Sequence, residues 1–205
     1  KATAGRPGPR AAVVAWLGEV GEAVPDARES IAALARHMLV RAPEAAPLRA
    51  AALQTVVGVA AGLPEAHRVA VLRFALKMSR NRSPHHRLAA VSFVAPFFAA
   101  VFAAEGSAAA HFHVGEGDDA AGAAEVPWGA YGLAMLFQRA LDKMSPVRQK
   151  AVSSIASILG SPAFAGCEGP LRHWLERLPG SFPSIWTPYR RPQTPGAATA
   201  TPGAG

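Results

Sequence analysis

Three stretches of this chain share one signature, Arg-x-x-Ala-[Val/Leu]-x-x-[Val/Ile]. It occurs at Arg49, Ala52, Leu53 and Val56, then at Arg87, Ala90, Val91 and Val94, then at Arg148, Ala151, Val152 and Ile155. A proline stands two or three residues before each arginine, at Pro47, Pro84 and Pro146. The arginines are 38 and 61 residues apart, and removing the Gly/Ala-rich stretch 105–126 brings the second interval to about 39. A period near 40 belongs to stacked helix pairs. The chemistry fits that reading. Proline suits the first turn of a helix, where its missing N–H costs nothing. Alanine lets a paired helix come close, and the branched residues supply a buried stripe. One pair cannot cover its own apolar face, so pairs stack.

The intervening sequence supplies the partner helices. Residues 1–10 read as disordered, and Val13 to Val24 as a short helix ended near Pro25. Asp26 is placed to cap a helix over 27–41, with Ile31, Leu34, Met38 and Leu39 inward. The second helix runs over 48–61 and stops at Gly62 and Pro64. The pairs are expected over 27–61, 65–104 and 127–159, with Leu136 and Leu141 among the inward residues of the third. Residues 105–126 read as a mobile insertion, 161–178 as weak helix around Leu171 to Leu178, and 179–205 as a disordered Pro/Gly/Thr-rich tail. The fold class that follows is all-α, a solenoid of helical hairpins with about three pairs. The chain reads as a piece of a longer open reading frame, and its first residues have no apolar leader core.

Composition bounds the function. Half of the 205 residues are hydrophobic, much of that alanine, and aromatics are 7%. The lone Cys167 has no internal disulfide partner, which suggests a reducing compartment. The run Leu88 to Ala104 approaches membrane-spanning length, but Pro96 interrupts it and no second span exists, so a buried repeat helix is expected. The formal charge is +7, which suits an acidic partner; GC-rich coding bias toward Arg and Ala is the rival cause.

The charge distribution narrows this. No Asp or Glu occurs from Ala66 to Ala104, while Arg68, Arg73, Lys77, Arg80, Arg82 and Arg87 do. Arg73, Lys77 and Arg80 share a helix face, and Arg80, Arg82, His85, His86 and Arg87 crowd the following turn. Lys143, Arg148 and Lys150 form a weaker counterpart. Such clusters sit on phosphates and release counterions, with little sequence preference. A merely solvated turn is the bland alternative for Arg80 and Arg82.

The run KMSRNRSPHHRLAAVSFV (77–94), followed by LFQRALDKMSPVRQKAVSSIASIL (136–159), resembles the HEAT-repeat region of the D-type, large non-SMC subunit of condensin II. The resemblance covers about 90 residues, and the second run is generic to HEAT repeats. It implies a nuclear, chromosome-organising scaffold whose partners are SMC ATPases, a kleisin and DNA, with no cofactor, no membrane and no small-molecule substrate. It also implies that Arg49, Arg87 and Arg148 pair structurally with acidic groups of neighbouring turns. A different HEAT or armadillo scaffold, gripping a peptide, is the alternative.

Enzyme signatures are missing: there is no nucleotide-binding Gly-rich loop, Gly-x-Ser-x-Gly or His-Glu-x-x-His. No metal site is expected from His111 and His113, or from the adjacent His85 and His86. Asp118 and Asp119 read as solubilising. Thr187-Pro188-Tyr189-Arg190 and Ser145-Pro146-Val147-Arg148 fit proline-directed kinases, and Thr194 and Thr201 precede prolines as well. Ser145 also reads as a turn cap. Phosphate at Thr187 would add roughly −1.5 to −2 charge beside Arg190 and Arg191.

Overall fold

A computed structural model describes residues 8–105 and 128–162. Among the described residues there are seven α-helices and no strand. They are α1 (Pro9–Ala23), α2 (Ala27–Val40), α3 (Ala46–Ala61), α4 (Glu65–Met78), α5 (Pro84–Glu105), α6 (Trp128–Ala140) and α7 (Ser145–Leu159). The described residues form an all-α solenoid of helical hairpins. Its pairs are α2 with α3, α4 with α5 and α6 with α7, each joined by a short turn or loop. First helices stack on first helices, α2 on α4 on α6. Second helices stack on second helices, α3 on α5 on α7. Helix α1 packs on α2 and α3, covering the first pair.

Local signals explain most boundaries. Proline occupies the first turn of α1, α3 and α7. Helix α1 begins at Pro9, inside the stretch read as disordered, because Pro9 starts a helix as readily as Pro47 does. Asp26 does not cap α2 through its side chain. Its φ and ψ of −67° and −20° are helical, whereas a capping side chain needs an extended backbone. Leu34 is 41% exposed and Leu141 87% exposed, so neither faces inward as expected. Leu141 lies past the end of α6, in the turn.

The core is one continuous cluster centred on α5. A helix apolar on all sides must be covered on all sides, and α5 touches α2, α3, α4, α6 and α7. Phe93, Phe97, Phe98 and Phe102 are all buried. Phe93 stacks on Phe97 at 5.1 Å, and Phe98 meets Trp128 edge-on at 5.5 Å. Burying each such ring contributes roughly 1.5–3 kcal/mol. By length and composition α5 could cross a membrane, but 61% of its apolar window, its four phenylalanines included, is buried inside the fold. Two glycines permit close helix approach: a Cβ on Gly132 would lie 2.3 Å from Phe98 Cζ, and one on Gly58 2.9 Å from Val14 Cγ1.

Candidate nucleic-acid interface

The signature arginines explain how the turns are built. Arg49 Nη1 donates to the Glu44 carbonyl at 2.6 Å, Arg87 Nη1 to the Arg82 carbonyl at 2.8 Å, and Arg148 Nη1 to the Lys143 carbonyl at 3.0 Å. Each reaches five residues back. Arg87 and Arg148 also reach six back, to Asn81 and Asp142 carbonyls at 3.0 and 2.8 Å. The carbonyls left over at the end of a first helix and in its turn therefore find donors on the next helix.

Arg87 does more. Its Nε and Nη2 donate to the two carboxylate oxygens of Asp142, at 2.8 and 2.9 Å, across the boundary between the second and third pairs. The fork geometry of guanidinium and carboxylate makes this a two-bond contact. Arg139 Nη1 adds a third bond to Asp142 at 3.1 Å, and the Met144 N–H a fourth at 3.0 Å. Both partners are buried, Arg87 to 4% exposure. Burial alone raises the Asp142 carboxyl, but the bonds from Arg87 and Met144, with the charges of Arg87 and Arg139, outweigh it and hold it below the ordinary 3.8.

The ten candidate nucleic-acid residues consequently divide. Arg73, Lys77 and Arg80 are exposed on the last turns of α4 and just beyond it, and Arg82 is exposed in the turn. Lys143 is exposed in the turn before α7. These two turns are neighbours, since Arg87 clamps Asp142 and Arg139 Nη1 reaches the Ser79 carbonyl at 3.3 Å. One edge of the solenoid thus gathers cations from two pairs. Burial, and then the charge of Arg139, lower the Arg80 guanidinium; it remains charged at neutral pH. Arg87 is corrected out of this surface, because its guanidinium is consumed by Asp142 and two carbonyls. Arg148 is exposed but staples its turn. His85 and His86 are half-buried, their rings 5.6 Å apart, and His86 Nδ1 is buried with no hydrogen-bond partner. Lys150 lies elsewhere, in a groove between second helices.

Only Arg87 has the acidic partner expected for all three signature arginines; Arg49 and Arg148 bond carbonyls. Sequence reading missed Asp142 and Arg139. A signal for Asp142 existed: it precedes Arg148 by six residues, as Asn81 precedes Arg87. Asn81 Oδ1 accepts the Ser83 N–H at 2.9 Å, just as Asp142 accepts that of Met144. Ser145 is exposed and opens α7 without a side-chain cap bond. His111, His113, Asp118, Asp119, Cys167, Thr187, Thr194 and Thr201 lie outside the described residues. Among the described residues, no three His, Cys, Asp or Glu side chains gather as a metal site. Comparison with protein-family models, with curated proteins and with solved structures finds no match to this chain.

Proposed function

We propose that the chain is a HEAT-type scaffold that holds partner proteins and touches DNA non-specifically along its turn edge. The observation behind the DNA contact is the edge shared by turns 79–83 and 141–144. It presents exposed Lys77, Arg80, Arg82 and Lys143, and its carboxylate Asp142 is buried and already bonded. Flexible surface cations of this kind neutralise phosphates, and each neutralised phosphate releases counterions. The condensin II setting, with SMC ATPases and a kleisin as partners on nuclear chromosomes, rests on the sequence resemblance alone.

The test is a mobility shift on duplex DNA over a range of salt concentrations. Arg80→Glu with Arg82→Glu should weaken binding about tenfold or more and reduce the salt slope by roughly two. Helix content by circular dichroism should stay unchanged. An unaltered shift and slope would remove the DNA contact. The condensin setting is checked separately, by binding of the purified chain to a kleisin subunit.

A further inference from the structure

A different surface has chemistry that the turn edge does not use. Helices α3, α5 and α7 lie side by side and enclose an open groove of about 490 Å³, with α5 between the other two. None of α3, α5 before Glu105, or α7 contains an Asp or Glu. Arg49 of α3 and Lys150 of α7 both line the groove. Arg49 uses only Nη1, on the Glu44 carbonyl, which leaves its Nε and Nη2 edge for another acceptor.

The middle helix adds a backbone group. Pro96 has no N–H, so it cannot close the helical bond to the Ser92 carbonyl four residues back. Ser92 and Pro96 both line the groove, beside Leu88. The groove therefore combines two cations and an apolar strip with Ser92, whose carbonyl lacks its usual helical donor. No aromatic side chain lines it, so nucleobases have nothing to stack on. Its volume suits a few residues of peptide.

From this we infer that the groove binds an extended acidic peptide. Its carboxylates sit on Arg49 and Lys150, an aliphatic side chain rests on Leu88 and Pro96, and a backbone N–H donates to the Ser92 carbonyl. This inference is independent of the DNA contact, because the two surfaces share none of these residues.

Fluorescence anisotropy with the whole chain and a labelled peptide, Gly-Glu-Leu-Glu-Asp-Leu-Glu-Gly, tests it. Arg49→Glu with Lys150→Glu should lower affinity about tenfold or more. Pro96→Ala, which restores an N–H for Ser92 and leaves every charge in place, should lower it several-fold. Ala50→Trp, which fills the groove, should abolish binding. Arg80→Glu with Arg82→Glu should leave it unchanged. Thermal melts establish that each variant is folded, and Pro96→Ala still decides the matter if the charge-reversed variant is not. The inference is overturned if the wild type does not bind the peptide, or binds a version with Lys at every acidic position equally well. Wild-type affinity in both Pro96→Ala and Ala50→Trp overturns it too. So does single-stranded oligothymidine that competes for the groove and is lost in Ala50→Trp, which would assign the groove to nucleic acid.

Discussion

The middle pair and the last pair carry the same signature and use it differently. In α5, Val91 is fully buried and Arg87 is locked onto Asp142 of the pair that follows. In α7, Val152 is 55% exposed and Arg148 bonds only carbonyls of its own turn. The first pair is intermediate: Leu53 is 3% exposed, but Arg49 has no carboxylate because Asn81 stands where Asp142 would. The difference teaches that a signature residue has no fixed role. Its role is set by what the next pair brings against it. Alanine follows the same rule: Ala90 and Ala151 are fully buried, but Ala52 of the first pair is only half-buried. Ala90 and Ala151 pack within the stack, with Ser154 of α7 reaching the Val91 carbonyl of α5 at 3.4 Å.

The largest test of this contrast removes the clamp. Asp142→Ala leaves the Arg87 guanidinium buried with no carboxylate, and breaking a buried pair from one side costs about 3–5 kcal/mol. Chemical denaturation should show that loss. If the variant were as stable as the wild type, the middle pair would be no more tightly tied than the last. Acid titration gives a second view. Asp142 has a depressed pKa in the folded chain, so its stabilisation is present above the unfolded value near 3.8 and is lost as pH falls through the folded value. The wild type should therefore lose thermal stability below about pH 4. The Asp142→Ala curve should be flatter in that window.

The next test compares equivalent valines. Val91→Ala opens space in a fully packed site and should cost about 2 kcal/mol, whereas Val152→Ala on the exposed face should change stability by under about 0.5 kcal/mol. Equal losses in denaturant unfolding would mean that Val152 is covered in solution, and the contrast between the two pairs would then vanish.

These contrasts mark how far the sequence can be read. The paired helices were legible because the signature, its prolines and the glycine stops are local. Alanine burial was legible for Ala90 and Ala151, but Ala52 has the same spacing and is only half-buried, so spacing does not settle it alone. The exposure of Val152 was not legible, since it depends on what lies beyond α7 rather than on α7 itself. Arg87 read both as a surface cation and as a structural arginine with an acidic partner; the partner was not legible, because Asp142 is 55 residues away, across the insertion. Helix ends were the other weak point. Leu141 continues the apolar spacing of α6, but the chain turns at Ala140 to seat Asp142 under Arg87. The groove was invisible for the same reason, being made of three helices far apart in sequence.

A small expected effect is also the most direct check on role by position. Arg148→Ala removes two hydrogen bonds to turn carbonyls, an exposed one at Lys143 and a part-buried one at Asp142, and no bond to a carboxylate, so the loss should be about 1 kcal/mol. Arg87→Ala strips the same two kinds of bond and also leaves the buried Asp142 carboxylate with only Arg139 and the Met144 N–H. It should cost several-fold more than Arg148→Ala. A double-mutant cycle separates the parts: Arg87 and Asp142 should couple by more than about 1 kcal/mol, while Arg148 and Asp142, which share only a backbone carbonyl contact, should add independently. Strong coupling between Arg148 and the Asp142 side chain would mean that the last turn is held by the same carboxylate as the middle one, and the two pairs would no longer differ in kind.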